Sequence, residues 1–284
     1  MTLLDVVKNF FTHEDFLPPA DQIPGTLFTP MQICCSLLLA VLTGFLAVKL
    51  SKRGESAIRK TFTALWIVFV IWEVVIVLYE TYGGAKVVFH MEDSLPLWPC
   101  SLFLFSMPCV IWGKGWLRAA GEGCLCTVCI LGALINFVYP ASVLDSYSWL
   151  SFHGFHTQFY HAALLFCAAV LLLSGRQRYD LWQHSGKAAV TVTETSAGKV
   201  VPTVWQLLVP AIPALVLSVP ANIVNFLVDP ESDYMFFKLE SFFLAPLGAI
   251  LPKVVTVIIA YMGYLIVCCG PYLPAWLKAR RAAK

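Results

Sequence analysis

Residues 61–82 read TFTALWIVFVIWEVVIVLYETY, a run in which Glu73 and Glu80 are the only charges. At about 1.5 Å of rise per residue such a run crosses the roughly 30 Å hydrocarbon core of a bilayer. Arg59 and Lys60 close one end, and Gly83 and Gly84 close the other. In lipid the segment must be a helix, because an open strand would leave its backbone N–H and C=O groups without partners. Glu73 and Glu80 are seven residues apart, so two helical turns place them on one face.

The same pattern recurs on both sides, over about 30–50, 95–112, 121–139, 152–174, 203–227 and 246–269. Each run is bounded by charge or by Pro and Gly. The expected fold is all-α: a single polytopic membrane domain over 1–284 with seven transmembrane helices. Composition agrees, with 59% hydrophobic and 13% charged residues in 284 and a mean hydropathy of +0.76. A soluble domain carries about a quarter charged residues, so too few remain here to coat a globular surface. The first 28 residues lack the apolar run of a signal peptide, and insertion is expected to rely on the first span. The polar stretch 186–201 reads as a loop.

Basic residues set the orientation, because loops on the cytosolic side hold an excess of Lys and Arg. Lys49, Lys52, Arg53, Arg59 and Lys60 flank the first loop, and Lys114 and Arg118 the third. Arg176, Arg178, Lys187 and Lys199 lie in the fifth, and Lys278, Arg280, Arg281 and Lys284 in the tail. These make fifteen of the nineteen basic residues. The N-terminus is therefore expected outside the cytosol and the C-terminus in it. The basic tail suits anionic lipid headgroups, and no nucleic-acid partner is implied.

Ionisable groups inside a bilayer are costly and mark either function or pairing. Here they are Glu73 and Glu80 in the second span, His161 in the fifth and Lys253 in the seventh, with Asn136, Asn222 and Asn225 as polar companions. Counting about 1.5 Å per residue from the expected outer ends puts Cys100 roughly 8 Å deep, Asn136 about 6 Å, Lys253 about 10 Å and His161 about 10–14 Å. A site in the outer half would need that layer. The alternative is a bundle held by interhelical hydrogen bonds and a Glu73–Lys253 or Glu80–Lys253 ion pair. His153 and His156 sit at the outer end of the fifth span, an ordinary interfacial place for His.

Ten cysteines lie in or at the end of apolar runs, where they usually act as small hydrophobes. Cys124, Cys126 and Cys129 have no Cys or His pair to complete a zinc pattern, and neither metal nor cofactor is expected. Cys100 differs in having His161 at a similar depth on another span that enters from outside. A thiol beside an imidazole can yield a thiolate that attacks an ester carbonyl. Pro96 and Pro99 suit a helix start. Cys100 would then sit one turn in, near the positive dipole end that favours a thiolate.

The segment Leu95-Pro96-Leu97-Trp98-Pro99-Cys100-Ser101 resembles the Leu-Pro-Leu-x-x-Cys signature of the transmembrane protein 164 family and its bacterial YwaF-type relatives. Gly132-Ala133-Leu134-Ile135-Asn136 with Tyr139-Pro140, then Phe159-Tyr160-His161, then Asp233-Tyr234-Met235-Phe236 are similar to further family segments in the same order. Trp98 stands where the family often has His, Pro99 where an aliphatic residue is usual, Ala162 where Gly follows the His, and Asp233 in place of Asn. The resemblance implies a membrane acyltransferase that moves a fatty acyl chain between phospholipids and lysophospholipids through a cysteine thioester. Cys100 would be the nucleophile and His161 the general base, with Asn136 at most a helper. A fatty-ester hydrolase on the same site is the nearer alternative, since the androgen-induced fatty-ester hydrolases have a related helical layout. A non-enzymatic transporter or lipid-binding protein using Glu73, Glu80 and Lys253 is the other. The membrane would be the endoplasmic reticulum or another endomembrane in a eukaryote, and the inner membrane in a bacterium.

Overall fold

The structure is a computed structural model that describes residues 1–89, 95–179, 193–194, 200–240 and 244–283. Lys187, Lys199, Lys284 and most of the loop expected at 186–201 lie outside the described residues. Six helices are long and apolar enough to cross a membrane: α1 (Pro30–Ser51), α2 (Glu55–Gly83), α4 (Trp116–Val138), α5 (Phe152–Leu173), α6 (Val204–Val228) and α7 (Lys253–Ala282). The shorter apolar helix Pro99–Trp112 is α3. Apart from a two-residue ladder pairing Thr193 with Val201 and Glu194 with Val200, the regular structure among the described residues is helical. The chain is a polytopic helical membrane protein.

Two spans start elsewhere than expected. The third begins at Pro99 rather than near Leu95, as a 3-10 turn over Pro99–Ser101 that runs into the α-helix Leu102–Trp112. The seventh is broken. Ala245–Ile250 forms a separate short helix, Leu251 is extended, and α7 begins only at Lys253, after Pro252. Proline disfavours the helical region for the residue before it and has no N–H to continue a helix.

The chain forms two compact units. The first holds Met1–Pro96 and Cys129–Leu173; the second holds Leu97–Val128 and Ser174–Lys284. Helix α4 contributes to both, and its π turn at Leu125–Cys129 falls where the division lies.

In the first unit α5 is the central helix, packed against α1, α2 and the second half of α4. Its buried small residues, Gly154, Ala162, Ala163 and Ala168, let neighbouring backbones come close, as membrane helix interfaces require. Leu39, Leu144, Trp149 and Ala162 form a core cluster, with Phe155 and Phe159 against it. Those two rings stack at 4.1 Å. Thr29 caps α1 by accepting from the Gln32 N–H, with Pro30 in its first turn, a start that the missing proline N–H makes inexpensive. The residues before α1 are stitched to the segment between α4 and α5. Leu27 N–H donates to Leu144 O at 2.8 Å, Trp149 N–H to Gly25 O at 2.8 Å and Phe152 N–H to Phe10 O at 2.7 Å.

In the second unit α3 lies against the first half of α4 so closely that a Cβ at Gly121 would stand 2.6 Å from the Ser106 carbonyl oxygen. Helix α6 is the irregular one. A 3-10 turn covers Val209–Ala211, Pro220 lies inside the helix Ile212–Ile223, and a π turn follows at Val224–Val228, as prolines in a span lead one to expect. Near the far end of α7, Gln177 donates to the Tyr272 hydroxyl at 2.6 Å and Trp276 Nε1 to Thr203 O at 3.1 Å. The Tyr179 hydroxyl donates to Cys126 O at 2.9 Å, and burial pushes its pKa up, so it remains a neutral donor.

Candidate functional site

Cys100 belongs to the second unit and is the second residue of α3, in its opening 3-10 turn. It is half-buried, whereas Cys124, Cys126, Cys129, Cys167, Cys268 and Cys269 are buried; none of the ten cysteines is in a disulfide. The position one full turn inside a helix is thus corrected. Cys100 lies within the first turn, where the dipole acts most strongly.

The loop after α6 forms a platform beneath this helix start. The Trp98 ring lies 5.2 Å from Tyr234 and 5.6 Å from Phe236, centroid to centroid. Two segments that the sequence holds about 135 positions apart therefore meet, and Trp98 is a packing residue here. The platform is held in an uncommon backbone conformation: Met235, Phe236 and Leu239 have φ of 54°, 55° and 56°. Non-glycine residues in that region cost about 1–3 kcal/mol each and persist only where surrounding groups hold them.

The holding groups are specific. Asn225 in α6 is fully buried and clamps Tyr234 from both sides, its Oδ1 accepting from Tyr234 N–H at 2.8 Å and its Nδ2 donating to Tyr234 O at 2.9 Å. Asp233 accepts from Lys238 N–H at 2.7 Å and from Glu240 N–H at 2.8 Å. The Tyr264 hydroxyl, on α7, donates to Met235 O at 3.2 Å. Lys238 donates through Nζ to Pro230 O, and burial keeps its pKa below the ordinary lysine value although Glu240, Asp233 and Asp229 pull it upward.

His161 belongs to the first unit, buried in α5 with Asn136 on the α4 half beside it. Its Nδ1 lies 2.8 Å from the Thr157 carbonyl oxygen one turn earlier. A carbonyl only accepts, so Nδ1 carries the hydrogen and Nε2 of the neutral ring presents a lone pair.

The remaining ionisable groups have other partners. Lys253, expected about 10 Å inside the seventh span, is instead the first residue of α7 and pairs with Glu240. The break at Pro252 leaves Lys253 at the helix end, where Glu240 is its partner. Glu80 stands between two imidazoles, 3.1 Å from His13 Nε2 and 2.5 Å from His153 Nδ1. His13 Nδ1 accepts from Asp15 N–H, so its Nε2–H is the donor to Glu80. Glu73 Oε2 lies 3.5 Å from His156 Nε2. This cluster ties the N-terminal segment to the ends of α2 and α5. His13 was not singled out in the sequence, and 67 positions separate it from Glu80.

A polytopic helical membrane protein with a half-buried cysteine at a helix start and a buried histidine is the class so defined. The TMEM164 family model matches residues 27–279; the chain belongs to that family. No curated protein and no solved structure matches it.

Proposed function

We propose that the protein is a phospholipid acyltransferase working through a thioester on Cys100, with His161 as general base. The observation that carries this reading is the His161 Nδ1–H bond to Thr157 O, which leaves Nε2 free to take a proton. Membership of the TMEM164 family and the place of Cys100 in the first turn of α3 support it.

In the first half-reaction Nε2 of His161 removes the thiol proton and Sγ attacks the ester carbonyl of a donor phospholipid. The carbonyl π pair moves onto oxygen. On collapse the bond to the glycerol oxygen breaks, and His161 returns its proton to that oxygen, releasing a lysophospholipid. The second half-reaction is the reverse with a different lysophospholipid, whose hydroxyl loses its proton to Nε2. If water replaces that hydroxyl the same site is a fatty-ester hydrolase. In a eukaryotic endomembrane the site would open toward the lumen.

The test is to give the purified protein a donor phospholipid with a deuterated acyl chain and an unlabelled lysophospholipid, and to separate the products by mass. Label in the acceptor supports transfer, and label in free fatty acid alone supports hydrolysis. His161→Gln should lower either rate by about 10²–10⁴-fold. Turnover that survives both Cys100→Ser and His161→Gln would sink the proposal.

A further inference from the structure

Gln158 is the seventh residue of the first unit's central helix and is fully buried, yet neither its Nε2 nor its Oε1 has a hydrogen-bond partner. Asn136 is 5% exposed and its Nδ2 is likewise unpartnered. A buried amide left this way costs about 1–3 kcal/mol, and native interiors rarely tolerate it without a reason. Two unpartnered amide N–H groups on the packed α4 and α5 call for a ligand that accepts hydrogen bonds.

The placement indicates which one. Gln158 precedes His161 by three residues, so the two are neighbours on one face of α5, with Cβ atoms roughly 5–6 Å apart. At about 1.5 Å per residue Gln158 stands roughly 9 Å from the Phe152 end of the helix. Asn136 is two residues from the end of α4, on the half that packs against α5, where it and Ala133 are the buried positions. An ester carbonyl is a pure acceptor and lies at the boundary between headgroup and acyl chain. Two amide N–H donors beside a base suit it better than they suit a phosphate, which would demand positive charge.

We infer that Gln158 Nε2 and Asn136 Nδ2 donate to the carbonyl oxygen of the lipid ester, and to the oxyanion that replaces it. The identity of the ligand rests on the acyl-transfer reading. The donors would then act where negative charge develops, and removing one such donor elsewhere costs about 10²–10³-fold in rate.

The test uses full-length Cys100→Ala protein, which cannot form a thioester, in detergent micelles. Binding of a short-chain diacyl phosphatidylcholine is compared with that of its dialkyl ether analogue, which lacks the carbonyls. The diacyl lipid should bind roughly 5- to 10-fold tighter, the worth of one hydrogen bond. Adding Gln158→Met should abolish that preference while ether affinity is kept, and thermal stability should hold or rise because a buried unpaired amide is gone. Asn136→Leu serves as the second variant should Gln158→Met fail to fold. Equal affinity for the two lipids, or a preference that survives both substitutions, would overturn the inference. Acyl-adduct formation on the Cys100 protein is measured alongside. An adduct without ester preference removes this inference alone; ester preference without an adduct removes the transfer reading and leaves the amide site standing.

Discussion

Replacing Asn225 by leucine tests how the platform under Cys100 is held. The Asn225 side chain satisfies both backbone groups of Tyr234, a residue with no exposed surface. Leucine fills much of the same space but pairs with neither. Each orphaned buried group costs about 1–3 kcal/mol, so the pair amounts to roughly 2–6 kcal/mol. The next two residues, Met235 and Phe236, hold left-handed backbone that adds about 1–3 kcal/mol each, and the clamp opposes release of that strain. The loss should therefore be local first. Peptides covering 232–240 should exchange amide hydrogens faster than in wild type, while those from α5 stay unchanged. Reversible unfolding in mixed micelles should show the cost, and acyl-adduct formation at Cys100 should slow as Phe236 leaves the Trp98 ring. A stability change under about 0.5 kcal/mol, the ordinary range of a neutral substitution, together with unchanged exchange over 232–240 would refute the reasoning.

Further outcomes follow from the same geometry. Gly248→Ala places a Cβ 2.4 Å from the Leu239 carbonyl oxygen, and overpacking of that kind costs about 1–3 kcal/mol, read in the same unfolding assay. Lys253→Ala removes a pair whose side chains are about half exposed and should change stability by under about 1 kcal/mol. Glu80→Ala leaves His13 and His153 without the carboxylate between them. It should destabilise by more than Lys253→Ala does and make residues 9–16 more open to protease. An epitope at the C-terminus should be reachable from the cytosol and one at the N-terminus only after the membrane is permeabilised; the opposite pattern would refute the orientation taken from the basic residues.

The helical spans were legible because charges are so few that each apolar run is delimited by them, as Arg59 and Lys60 delimit the run to Tyr82. Their ends were less so. The seventh run was continuous in hydropathy from about 246, and hydropathy does not register that Pro252 breaks the backbone and moves Lys253 to a helix end. The prolines before Cys100 did announce a helix start, but Pro99, rather than Leu95, proved to be the first helical residue. The platform was illegible for another reason. Asn225 pairs with main-chain atoms nine residues away, and left-handed φ at Met235 and Phe236 carries no glycine to signal it. Gln158 could have been noticed as a polar residue in an apolar span. What marks it out is complete burial without a partner, which only the fold reveals.

The central claim is that Cys100 carries the acyl chain. Intact-protein mass spectrometry of wild type and Cys100→Ser, each incubated with donor phospholipid, tests it most directly. The account predicts one added fatty-acyl mass on the wild type, removed by hydroxylamine and absent from the variant. No mass gain on either protein, or an equal gain on both, would contradict it.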